Sequence, residues 1–217
     1  MKLQLRHLAL TAVLALTSWA LAAEHETASV PPDEALSRLK SGNDRFASSK
    51  MSSEKPVAAR RTETAKTQHP FAIVVGCADS RTAPEIVFDE NIGDLFVIRT
   101  AGNVVDDYAL GSIEYGVEHL GVRLIVVLGH QRCGAVTAAM TSESAPGHIN
   151  SLVRDIHPAV VASKGKGGDA LANAIHENDL LVAAKIRKEA QFGELTSQVK
   201  VVEGYYDLDT GKVEWTK

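Results

Sequence analysis

Apolar and polar positions along this chain alternate between two periods, and the changes of period mark out its elements. Residues 33–49, DEALSRLKSGNDRFASS, bring Ala35, Leu36, Leu39 and Phe46 onto roughly one helical face, with Asp33 as the expected N-cap and Gly42 weakening the middle. Residues 50–69 are polar and read as loop or broken helix. Residues 71–75, FAIVV, form a continuous apolar run rich in β-branched side chains, as a strand buried on both faces requires. Similar runs occupy 94–103, ending in Gly-Asn, and 123–130, ending in Gly-His. Between them, 107–121 repeats Leu110, Ile113, Val117 and Leu120 at intervals of three and four, the helical spacing. Helices are also expected over 133–140, over 146–168 up to the Lys/Gly-rich loop SKGKGGD, and over roughly 170–191. The closing stretch VKVVEGYYDLDTGKVEW places a DLDTG turn between an apolar run and a short strand, a hairpin signal.

Strands alternating with helices predict an α/β fold: a central, mostly parallel β-sheet flanked by helices, with the C-terminal hairpin supplying an antiparallel edge strand. No internal repeat and no inter-domain linker interrupts residues 33–217, which read as one domain after a flexible leader over 23–32. Residues 1–22 differ in kind. Lys2 and Arg6 precede an apolar stretch from Leu8 to about Leu21, which closes on Ala20-Leu21-Ala22. That is the layout of a cleaved secretory signal peptide, and the stretch is shorter than the ~20 residues of a spanning helix. The expected location is therefore periplasmic or secreted, with no membrane contact after signal removal.

Charge narrows the partners. The 217 residues carry 23 Lys+Arg against 27 Asp+Glu. Without Lys2 and Arg6 the basic residues fall to 21, a formal charge of −6. An acidic balance with no basic, aromatic-interleaved cluster argues against nucleic acid as a partner.

The only two cysteines, Cys77 in GCADSR and Cys133 in GHQRCGA, lie at the carboxyl ends of two of the buried runs. In an open parallel sheet that edge is where ligand sites form, so both are expected to face one crevice. His130 precedes Cys133 by three residues, leaving a strand and entering a helix whose N-terminus favours a thiolate. Cys77, His130 and Cys133 make a Cys2His set, the donor chemistry of a catalytic zinc with one open position. Asp79 and Arg81 follow Cys77 at alternate positions, so that an arginine can keep an aspartate ionised and oriented beside such a site. A Cys77–Cys133 disulfide in a metal-free exported protein satisfies the same proximity, and an oxidising compartment permits it.

CADSR followed by HQRC resembles the paired signature of the β-class carbonic anhydrases. GDLFVIRTAGN, GSIEYGVEHLGVRLIVVLGHQRCGAV and YYDLDTGKVEW are similar to that family too, in the expected order, over about residues 33–216. The resemblance implies one Zn2+ per chain on Cys77, His130 and Cys133, with Asp79 and Arg81 as the catalytic dyad. It implies reversible hydration of CO2 to bicarbonate and a proton by attack of zinc-bound hydroxide. It also implies a homodimer or dimer of dimers, with the N-terminal helix reaching over the partner. Gly102 and Asn103 are candidate substrate-binding residues after the second strand. Glu90 is another, standing in VFDENIGDLF, where Glu90 or Asn91 lies nearest the place at which family members commonly carry a glutamine. Val74 occupies the position where some members have a tryptophan of a regulatory bicarbonate site, so that site is not expected. Hydrolysis of carbonyl sulfide or carbon disulfide, linear molecules with the same electrophilic carbon, is the alternative on the same scaffold.

Overall fold

A computed structural model describes residues 29–52 and 56–216. The expected signal segment 1–22 and the start of the leader lie outside the described residues. In chain order the elements are α1 (Pro32–Ala47), α2 (Val57–Thr64), β1 (Ala72–Cys77), α3 (Pro84–Val87), β2 (Leu95–Thr100), α4 (Asp107–Glu118), β3 (Leu124–His130), α5 (Gly134–Thr141), α6 (Ile149–Ser163), α7 (Ala170–Glu189), β4 (Lys200–Tyr206) and β5 (Val213–Trp215). The five strands form one sheet in the order β2-β1-β3-β4-β5. The first four are parallel, and β5 returns antiparallel to β4, with Tyr206 opposite Val213. The mostly parallel sheet with an antiparallel edge is as the periodicity predicts.

Every residue of β1 and β3 is buried. Successive side chains of a strand point to opposite faces, so each strand feeds two cores. Ile73, Val75, Ile125 and Val127 pack with Leu110, Ile113 and Val117 of α4 and with Val182, Ala183 and Ile186 of α7. Ala72, Val74, Leu124 and Val126 pack with Ala35 and Leu39 of α1, with Phe88, and with Val213 of β5. Burying a side chain such as Ile73 or Ile125, both 0 % exposed, contributes about 1.5–3 kcal/mol each. That two-sided burial is why these strands read as unbroken apolar runs rather than as alternations.

The start of α1 differs from expectation. The N-cap is Pro31, and Pro32 holds the first helical position, where a fixed φ and a missing N–H cost nothing. Asp33 therefore lies inside the first turn, where its carboxylate pairs with Lys200 Nζ at 2.7 Å. The body of α1 closes over the chain's own sheet: Asn43, 4 % exposed, bonds Val87 O, Gly211 O and Val213 N. The helix expected over 146–168 begins at Ile149 and ends at Ser163, because Gly165, Gly167 and Gly168 follow, two of them at positive φ. Among the described residues no helix is long and apolar enough to cross a membrane.

The topology decides where a site can form. The chain leaving β1 moves outward to β2, and the chain leaving β3 moves the other way to β4. Between the carboxyl ends of β1 and β3, connections diverge and leave a crevice, the switch point at which open α/β sheets bind ligands.

Candidate active site

Three side chains meet in that crevice. Cys77 is the last residue of β1, His130 the last of β3, and Cys133 the N-cap of α5. One ligand atom from each lies within 4.8 Å of the others, and all three residues are buried. His130 is 1 % exposed; its Nδ1–H donates to Gln131 O at 2.9 Å. This sets the tautomer and leaves the lone pair on Nε2, a buried atom without a hydrogen-bond partner among the described residues. Both cysteines are free thiols, so the disulfide alternative is corrected: the two sulfurs lie near each other and near the imidazole without a covalent bond between them.

The sulfurs are electrostatically prepared. Cys77 Sγ accepts the backbone N–H of Gly102 at 3.2 Å and of Asp79 at 3.4 Å. The adjacent Cys133 thiol, with help from His130 and those two N–H groups, holds Cys77 well below the usual thiol range against the opposing effect of burial. Cys133 is pushed up, first by Cys77 and then by burial. A cation between the sulfurs would displace their thiol protons. Two soft sulfurs, an unpartnered imidazole nitrogen and deep burial fit zinc.

Asp79 stands at the rim. Its Oδ2 is 3.9 Å from His130 Nε2. Arg81 grips it as a fork, Nε to Oδ1 at 2.9 Å and Nη2 to Oδ2 at 2.7 Å, and the Arg81 backbone N–H adds a 3.0 Å bond to Oδ1. The Arg81 side chain, above all other causes, holds the Asp79 carboxyl well below the usual carboxylate range. The turn carrying Asp79 is fixed from behind. Arg99 of β2 donates Nε to Cys77 O and Nη2 to Asp79 O, and Thr82 Oγ1 donates to Asp79 O at 3.0 Å. Arg99 was not singled out in the sequence, although its register opposite Gly76 places it one residue before that strand end.

The HQRC loop is braced from the other side. Arg132 sits at a left-handed φ of 55°, which a non-glycine residue holds only when its surroundings demand it. Both its Nη atoms reach Asp209 of the hairpin turn at 2.8 Å, and Gln131 Nε2 donates to the same carboxylate. The DLDTG turn thus tethers the loop between His130 and Cys133, a link no local pattern in the sequence announces.

The remaining candidates fall elsewhere. Gly102 is at the cluster, but as a backbone donor to Cys77. Asn103 is 2 % exposed and its amide is committed to Asp179 Oδ1 at 3.0 Å, away from the sulfurs. Glu90 precedes β2, whose first residue pairs with the first residue of β1. It therefore lies beyond the amino edge of the sheet, opposite the edge that carries Cys77, and the structure does not bring it to the cluster of its own chain. There it is 5 % exposed against Arg38, Nη2 to Oε2 2.6 Å, and burial raises its pKa despite that partner.

Comparison with known proteins agrees with this architecture. The sequence profile of the family described as carbonic anhydrase matches residues 72–213. The carbonic anhydrase of Mycolicibacterium smegmatis is 38 % identical over 190 residues, covering 84 % of this chain and 92 % of that protein. Carbonic anhydrase 2 of Mycobacterium tuberculosis is 38 % identical over 192 residues, covering 83 % and 91 %. Among solved structures, the β-carbonic anhydrase of Coccomyxa in complex with acetazolamide superposes with a TM-score of 0.67 at 26 % identity, over 83 % of this chain and 85 % of that one. A tetrameric β-carbonic anhydrase of Sordaria macrospora shares the fold with a TM-score of 0.65 at 22 % identity, over 81 % and 93 %. The chain belongs to the carbonic anhydrase family, in its β class, and is an enzyme of that class.

Proposed function

We propose that the protein hydrates CO2 reversibly to bicarbonate and a proton at a single zinc ion per chain, held by Cys77 Sγ, His130 Nε2 and Cys133 Sγ. The observation that carries this reading is the buried Nε2 of His130, without a partner among the described residues and within an ion's reach of two sulfurs. Zinc in such a donor set acidifies a water and so supplies a nucleophile for the electrophilic carbon of CO2 at moderate pH. The chain's own residues do the rest. Asp79 offers a fixed acceptor for the attacking water's hydrogen, so that a lone pair is aimed at the substrate. Arg81 takes up Oδ1 with two bonds and Oδ2 with one, which fixes the carboxylate and leaves a lone pair of Oδ2 to accept from the attacking water. Val136, Ile156 and Val160 pack with the two cysteines, so the ligand sulfurs are backed by apolar core. That backing keeps water away from them. The half-exposed Arg81, at the mouth, places positive charge where an anionic product leaves.

Zinc analysis with stopped-flow CO2 hydration, before and after chelation, tests this. One zinc per chain is expected, with activity lost on chelation and regained on adding zinc; full activity in metal-free protein would refute it.

We also propose that the working unit is a homodimer or dimer of dimers. Support comes from β2, whose outer edge is without a neighbouring strand among the described residues, and from the exposed Tyr108, Tyr115 and Ile92. Light scattering reads the mass; a monomer active at assay concentration would overturn it. The signal-like layout of residues 1–22 supports export, and N-terminal sequencing of the mature protein should begin near Ala23.

A further inference from the structure

One buried carboxyl group takes no part in the chemistry above. Asp179 of α7 is 2 % exposed, and among the described residues it pairs with no cation. Its Oδ1 accepts from the neutral amide of Asn103 at 3.0 Å. The rest of the carboxyl group fills the slot beside Gly129. A Cβ at position 129 would come within 2.6 Å of Asp179 Cγ and would collide with both oxygens. Gly129 is the residue immediately before His130. The same α7 turn makes a second contact: Asn178 Nδ2 donates to Gly102 O at 2.9 Å. Gly102 and Asn103 both lie in the left-handed region, at φ 68° and 44°, in the turn whose Gly102 N–H points at Cys77 Sγ. Adjacent residues of one helix therefore hold the strand that carries His130 and the turn that feeds Cys77.

We propose that Asp179, as a neutral carboxylic acid, is a positioning residue for the metal centre: it seats the Gly129–His130 strand end and, through Asn103, the Gly102 turn, so that imidazole and sulfur converge. The groups around it agree with a neutral acid. Glu203 on β4 lies nearby but is itself paired with Arg187 Nη2 at 2.7 Å, and among the described residues the donor to Asp179 is an uncharged amide. Burial, ahead of those neighbours, keeps its pKa well above the usual carboxylate value. Groups behind metal ligands commonly change metal affinity 10–100-fold when removed, because they fix the ligand's direction rather than its identity. Helix α7 thus takes part in the site without contacting substrate or ion.

This inference rests on the proposed zinc site, and the test separates the two. The parent protein and the variants Asp179→Ala, Asp179→Asn and Asn103→Gly are loaded with zinc, and chelator-driven metal release is timed well below each melting temperature. Cobalt(II) is then substituted, and the sulfur-to-cobalt charge-transfer band is recorded. Asp179→Ala should release zinc about tenfold faster or more and change the cobalt band. Asp179→Asn, which keeps the shape and the acceptor without the charge, should restore both towards the parent. Asn103→Gly tolerates the left-handed backbone, so it reports on the tether even if Asp179→Ala fails to fold, and it too should release zinc faster. Unchanged release and an unchanged band in the folded variants would overturn the proposal, whatever happens to melting temperature. Equal impairment by Ala and Asn would overturn the neutral-acid assignment. A parent that binds no metal would instead refute the zinc site itself.

Discussion

Asn43→Ala tests how far the N-terminal helix holds the active-site edge together. Asn43 is 4 % exposed and makes three hydrogen bonds to the backbone: Nδ2 to Val87 O at 3.1 Å, Nδ2 to Gly211 O at 2.8 Å, and Val213 N to Oδ1 at 2.8 Å. Alanine removes all three and leaves the backbone groups facing a small void. Leaving a buried polar group unmade costs about 1–3 kcal/mol each. Taking the low end, because the hairpin lies near the surface and admits some water, the sum is about 3 kcal/mol. Alanine recovers roughly 0.5 kcal/mol through its better helix propensity. The net loss of about 2.5 kcal/mol, divided by a urea slope of about 2 kcal/mol per molar, lowers the denaturation midpoint by about 1 M. The effect should reach function as well, since the hairpin turn that Asn43 secures carries Asp209, the tether of Arg132. Urea titration followed by circular dichroism reads the first effect, and chelator-driven metal release in the absence of urea reads the second. A midpoint within about 0.2 M of the parent would show that α1 is not clamped to the hairpin through this side chain, and the reasoning would fail.

Three further outcomes follow from the site. Arg81→Lys replaces a fork by a point charge and should lower kcat/KM by between about tenfold and a hundredfold through misorientation of Asp79. That loss should be constant from about pH 6 to about pH 9, because an aspartate of ordinary pKa near 3.9 is already ionised there; a loss that changes with pH across this range would contradict an orienting role. Asp209→Ala frees Arg132 from its left-handed conformation and should speed metal release, measured against chelator. Arg132 holds Asp209 down to about 2, so in the parent the tether contributes above the ordinary carboxylate value and is lost only as pH falls through about 2. Asp179 carries the opposite sign. Its raised pKa means that the folded state binds the proton more tightly, so stability from this group is full below the unfolded value near 3.9 and declines as pH rises above it. Denaturation of Asp179→Asn alongside the parent should therefore show the variant gaining relative stability between about pH 4 and about pH 7, and a difference independent of pH would contradict a protonated Asp179.

Much of this enzyme was legible before folding. Unbroken apolar runs at 71–75 and 123–130 announced strands covered on both faces, and the spacing of Leu110, Ile113 and Val117 announced the helix that covers one of them. Cys77 and His130 close those runs, so placing both at a strand's carboxyl end was enough to expect a shared crevice. The departures have local causes: proline at position 32 moved the helix start ahead of Asp33, and the glycines after Ser163 ended α6 early. Asn103 was placed by its position after the second strand and Glu90 by likeness of sequence. Their side chains bond Asp179 and Arg38, neighbours in space that lie far away along the chain.

The sequence by itself determined the elements, the faces they bury and the identity of the donor atoms, because periodicity and residue chemistry are properties of short stretches. Only the tertiary structure decided that Asp179 fills the gap beside Gly129, that Asp209 holds Arg132, and that Asn43 binds the hairpin. The last two join residues 77 and 168 positions apart, and the first joins residues 129 and 179. The physical reason is that a buried polar group is satisfied by whatever partner packing brings within about 3 Å, and that partner follows from the path of the whole chain rather than from its neighbours in sequence.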